Sequence, residues 1–201
     1  INRSPAKVQS ALLEAMQEKT VTVANHTYPL PEPFFVLATQ NPLEMEGTYP
    51  LPEAQLDRFL FKVNVPFPSA TELTEILART TGEKGVDINP VANGERISAM
   101  QKLARQVPVP SHVSEYISRL IVATHPDNTS SSSVQQYVRY GASPRGAQAI
   151  ILGAKITALL AGRYNVSFDD VAAVSAAALR HRLILNFEGQ AEGVSSDVVV
   201  E

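Results

Sequence analysis

The feature that most limits the fold is the run Phe34-Phe35-Val36-Leu37-Ala38-Thr39, in which apolar positions follow one another without alternation. A strand with one wet face alternates. A short continuous run fits a strand covered on both faces, as in a parallel sheet under helices. Prolines at 29, 31 and 33 separate it from what precedes, since proline cannot donate to a ladder. Gln40-Asn41-Pro42 ends it and puts polar groups at the carboxyl end of the strand, where open α/β sheets bind ligands. Phe59 to Val65 alternates and is expected as a second strand, ended by Pro66 and Pro68.

Around these runs the signals are helical. Ser4-Pro5 suits a helix start, and Val8, Leu12, Leu13 and Met16 recur at helical spacing to about Glu18. Thr20 to Val23 and Thr27 to Leu30 read as a short hairpin turning at Asn25-His26. A loop with Gly47, Pro50 and Pro52 leads to a short helix over Glu53 to Arg58. Beyond the prolines the pattern is all helix. Segments are expected over 71–80 (capped by Ser69), 95–106, 111–125, 144–162 and, capped by Ser167, 168–182. Residues 82–94 read as a loop, and the Ser-rich stretch 126–143 reads as a mobile loop. The expected organisation is an α/β part over 1–66 and an all-α part over 69–201, joined at the proline-marked link 66–68.

Composition narrows the function classes. The 201 residues carry a net charge of −3 and scattered Lys and Arg, whereas a duplex nucleic-acid binder normally presents a basic face. With no cysteine there is no disulfide, thiol nucleophile or thiolate metal site. His26, His112, His125 and His181 are dispersed without metal-ligand spacing, so no metal site is assigned. No apolar run reaches membrane-spanning length, and no basic start followed by an apolar block marks a signal peptide.

Three positions could carry chemistry. Asn41, just past the apolar run, could orient a water for attack on a phosphate; taken alone, a simple Asn-Pro turn is the stronger account. Arg58 lies at the end of a short helix before a strand, and its planar fork matches phosphate oxygens. Taken alone, a surface pair with Asp57 or a nearby acid explains it better. Arg145 sits in the first turn of the 144–162 helix, where the macrodipole favours anions. It gains from that place only if an anion is shared with the free N–H groups; an exposed, solvated Arg is the equal alternative. Arg180-His181-Arg182 reads as a helix C-terminus complemented by cations.

In their order, these segments resemble the AAA+ ATPases, and within them the MoxR group. The matching stretches are INRSP (1–5), QSALLEAMQE (9–18), FVLATQNP (35–42), GTYPLPEAQLDRFLF (47–61), GASPR (141–145) and RHRLILNFE (180–188). The resemblance implies the C-terminal half of a P-loop AAA+ parallel-sheet core followed by a helical lid. It puts Asn41 at the sensor 1 position, Arg58 at the arginine-finger position and Arg145 at the sensor 2 position. It makes the 20–30 hairpin the insertion before the sensor 1 strand, and sets Arg3 near the subunit interface. The phosphate-cradling G-x-x-x-x-G-K-[ST] pattern is nowhere in the 201 residues, and the family's Asp-Glu pair stands just before the Ile-Asn-Arg with which the chain opens. The chain is therefore expected to be a piece that does not hydrolyse ATP by itself.

The expected function is that of part of a chaperone-like ATPase that remodels or activates a partner protein. ATP and Mg²⁺ are its cofactors, both requiring the family's N-terminal half. Arg145 is expected to act in cis and Arg58 in trans. The implied setting is a cytoplasmic homo-oligomeric ring, taken as a hexamer, with a von Willebrand A-type domain protein as partner. The rival readings are a non-catalytic helical assembly module and a subunit of a related machine such as a metal chelatase or a nucleic-acid motor.

Overall fold

The computed structural model describes residues 6–40, 51–82 and 88–200. Asn41, Arg3, the Ser4-Pro5 helix start and the Gly47–Pro50 loop lie outside these residues. Helix α1 (Ala6–Glu18) leads into the hairpin β1 (Thr20–Val23) and β2 (His26–Pro29), paired antiparallel with Val23 opposite His26. Its two-residue turn is Ala24-Asn25, one position earlier than expected, with φ of 49° and 64°. Left-handed values at both positions give the turn whose twist matches the strands.

Two expected strands are not strands here. Neither residues 34–39 nor residues 59–65 join a ladder among the described residues. A strand buried in a parallel sheet draws its hydrogen bonds from neighbours on both sides, and the described residues offer none. Phe35 and Leu37 are accordingly 72% and 87% exposed. Between these segments lies the single-turn helix α2 (Glu53–Leu56).

The remaining chain packs as helices: α3 (Ala70–Thr80), α4 (Gly94–Gln106), α5 (Ser111–Ala123), α6 (Ser132–Tyr137), α7 (Pro144–Leu160), α8 (Phe168–Leu179), α9 (Phe187–Ala191) and α10 (Ser196–Val200). Strands β3 (Val138–Tyr140) and β4 (Ile184–Leu185) pair between them. Caps set the starts as the sequence suggests. Ser69 and Ser167 each close a capping box, and the Ser143 hydroxyl accepts from the Arg145 N–H. The 126–143 stretch is a correction. It is ordered as a 3₁₀ turn, α6 and β3, because Val134 and Val138 bury their side chains despite the serines around them. The core lies between α5, α7 and α8. There Val113, Ile117, Ile150, Val171 and Leu179 are at most 1% exposed, each such burial worth about 1.5–3 kcal/mol.

Candidate functional site: an arginine cleft held by the lid

Helix α2 is one turn long and buries no residue. Its last backbone bonds run from the Asp57 N–H to the Glu53 carbonyl (3.0 Å), Arg58 to Gln55 (3.2 Å) and Phe59 to Leu56 (3.1 Å). Asp57 caps the C-terminus of this turn and Arg58 follows it.

Arg58 lines a cleft with Met16, Gln17 and Arg145. Its Nε is buried and has no hydrogen-bond partner among the described residues. Arg145 enters the cleft from the first turn of α7, and its only ion pair among the described residues is a long one, Nη1 to Asp57 Oδ2 at 3.4 Å. Two guanidiniums thus line one cleft, and the carboxylate behind it, Asp57, is divided among several donors. A buried cationic group without a partner is costly, so an anion placed at the Arg58 Nε would be favoured. The cleft volume of about 160 Å³ is below the roughly 300 Å³ at which small-molecule pockets begin; it suits a phosphate group, not a whole nucleotide. The lining residues offer no carboxylate to a divalent cation.

Asp57 is the hub behind the cleft. The Ser143 hydroxyl donates to its carboxylate, 2.9 Å from both oxygens, and Arg182 Nε donates to Oδ1 at 3.0 Å. Arg182 is 2% exposed in its side chain. Its five N–H groups are all used. Beyond Nε, Nη2 donates to the carbonyls of Asp57 (2.9 Å) and Phe59 (2.7 Å), and Nη1 to those of Leu60 (3.2 Å) and Ala178. Burial lowers the Arg182 pKa, with the Asp57 charge opposing. Because both Nη1 protons are taken, the neighbouring His181 Nε2 carries its own proton and donates it to the Phe59 carbonyl at 2.9 Å. That tautomer leaves Nδ1 as the buried atom without a partner. Burial first, then the Arg182 charge, pushes the His181 pKa down to about 4.

The structure brings Arg58 and Arg145 together, and Asn41 lies outside the described residues. Sequence reasoning missed the hub. Asp57 pairs with Arg145 and Arg182, and Arg58 has no ion pair among the described residues. Arg182, read as a helix-end cation, spends one of its five donors on α8 and four on residues 57–60. The one local hint was the pair of charged or titratable residues, His181 and Arg182, set between the apolar Leu179 and Leu183.

Comparison with known proteins agrees with these features. Residues 1–61 match the model of the ATPase family associated with various cellular activities, and residues 130–201 match the AAA lid domain. The chain is 44% identical to Chaperone MoxR1 of Mycobacterium tuberculosis over its full length, covering 53% of that protein. It is 41% identical to the uncharacterized protein YeaC of Bacillus subtilis, covering 60% of it, and 30% identical to Protein MoxR of Paracoccus denitrificans, covering 58%. A crystal structure of a protein from Cytophaga hutchinsonii assigned as an ATPase superposes with a TM-score of 0.92 at 40% identity, over 99% of this chain and 61% of that one. The chain thus spans little more than half the length of the relatives it matches. With a stretch of AAA core followed by the AAA lid, it belongs to the MoxR-type AAA+ ATPases.

Proposed function

We propose that this chain supplies the phosphate-responsive residues of a chaperone-like AAA+ ATPase, with Arg58 and Arg145 stabilising the charge that develops on the transferring γ-phosphate. The observation that carries the proposal is the Arg58 Nε, buried without a partner among the described residues, in a cleft shared with Arg145. Catalysis of phosphoryl transfer rests on positioning and charge stabilisation, and two preorganised guanidiniums supply both. ATP and Mg²⁺ would be held by the phosphate loop and acidic residues of the longer protein; Asn41 would orient the attacking water. The sharing of one cleft favours a single nucleotide as the target of both arginines, in place of one in cis and one in trans. The remaining parts of the proposal are a homo-oligomeric ring in the cytoplasm and the remodelling of a partner, of which a von Willebrand A-type domain protein is the candidate. No described helix is long and apolar enough to cross a membrane.

The test uses the full-length protein. Arg58→Ala should lower ATP turnover by on the order of 10³-fold with nucleotide affinity little changed. Mixing Arg58→Ala subunits with subunits whose phosphate loop is disabled should restore turnover, and so should the same mixture made with Arg145→Ala. Normal turnover by Arg58→Ala would overturn the proposal; rescue of Arg58→Ala alone would return Arg145 to its own subunit's nucleotide.

A further inference from the structure

We propose that Arg182 is a positioning residue, which fixes residues 57–60 to the lid and so aims Arg58 into the cleft beside Arg145. The inference rests on the reading of Arg58 given above and adds a residue that touches neither nucleotide nor cleft.

The argument is one of constraint. Helix α2 is a single turn without a buried side chain, so it cannot hold Arg58 in place by itself. Four of the five Arg182 donors end on the segment that contains Arg58: Asp57 twice, Phe59 and Leu60. A planar fork with all donors used permits little rotation. His181 adds a further bond to the Phe59 carbonyl. Just downstream, the Lys62 N–H donates to the Ala177 carbonyl (2.9 Å) and Arg180 Nη1 donates to the Lys62 carbonyl (3.2 Å). Phe61 fills the notch at Gly153, where a Cβ would lie 2.7 Å from its Cζ. A Cβ at Gly146 would lie 3.2 Å from Leu179 Cδ2 and 3.3 Å from both Ala142 Cβ and Arg182 Cδ. The same Asp57 carboxylate touches Arg182, Ser143 and Arg145. One buried guanidinium therefore clamps the backbone on both sides of Arg58, through the Asp57 and Phe59 carbonyls. On this geometry Arg58 moves with the lid.

The full-length protein tests this with Arg182→Lys, which keeps the charge facing Asp57 and loses the fork. The expected result is a kcat at least tenfold lower with the KM for ATP within about threefold. In an Arg58→Ala background, Arg182→Lys should lower kcat by less than twofold more, because its route runs through Arg58. Should Arg182→Lys fail to fold, Gly146→Ala presses on the Arg182 stem, as on Leu179 and Ala142, with every charge kept, and a severalfold fall in kcat with unchanged KM is expected. Three results overturn the proposal: a folded Arg182→Lys with kcat within twofold of the parent, a KM that rises in step with the loss, or an undiminished effect in the Arg58→Ala background. Loss of activity in Arg58→Ala with none in Arg182→Lys removes this inference alone. Full activity in Arg58→Ala removes the underlying reading as well.

Discussion

Between pH 7 and pH 4 the fold should lose stability through one residue, His181. Its ring is buried, donates to the Phe59 carbonyl and lies beside the Arg182 guanidinium. Burial and that charge depress its pKa from 6.5 to about 4. The unfolded chain therefore takes up a proton in this window and the folded chain does not. A neutral buried His gives its full stability above pH 6.5, and this declines as the pH falls toward 4. A fall from 6.5 to about 4 would be worth roughly 3 kcal/mol, and partial solvent access lowers the expectation to about 2 kcal/mol. The variant to compare is His181→Gln, which can still donate to Phe59 and does not titrate. Urea unfolding at pH 7.5 and at pH 4.5 should show the parent losing about 2 kcal/mol more than His181→Gln. Equal losses would refute the assignment, and so would a parent that gains stability on acidification, because a His held protonated by Asp57 would behave that way.

Two further substitutions probe the lid. Asp170 accepts from the Arg163 fork and from the Ser167 N–H (2.8 Å) and hydroxyl (2.9 Å), and is 1% exposed. Asp170→Asn should cost about 2–3 kcal/mol in thermal or urea unfolding. The Arg163 guanidinium holds the Asp170 pKa at about 2, so the parent should keep this contribution above pH 3.8 and lose it only as the pH falls through 2. Gly153→Ala would drive a methyl against Phe61 and Val174. Overpacking of about 2 kcal/mol, less about 1 kcal/mol gained in helix propensity, leaves a net loss near 1 kcal/mol by urea unfolding.

Much of the lid was legible because its signals are local. Ser69 and Ser167 cap helices through bonds to residues three positions on, and such spacing is visible in the chain itself. The GASPR stretch placed Arg145 correctly in the first turn of α7 for the same reason. The run 34–39 failed as a strand because a ladder is a property of two segments, and only one was in view. The serines at 130–133 suggested mobility by composition, although Val134 and Val138 order the segment by burial.

The cleft marks where local reading ends. Next to Arg58 in sequence stands Asp57, and the economical inference is that they neutralise each other. No Asp57–Arg58 pair forms among the described residues. Asp57 turns instead to Ser143, Arg145 and Arg182, which are 86 to 125 residues away. Every donor spent on Asp57 from that distance is one that makes it unavailable to Arg58. That Arg58 has no ion pair among the described residues is therefore a product of tertiary structure. The lid's arginine engages Asp57, and a change that freed Asp57 should alter Arg58 without touching it.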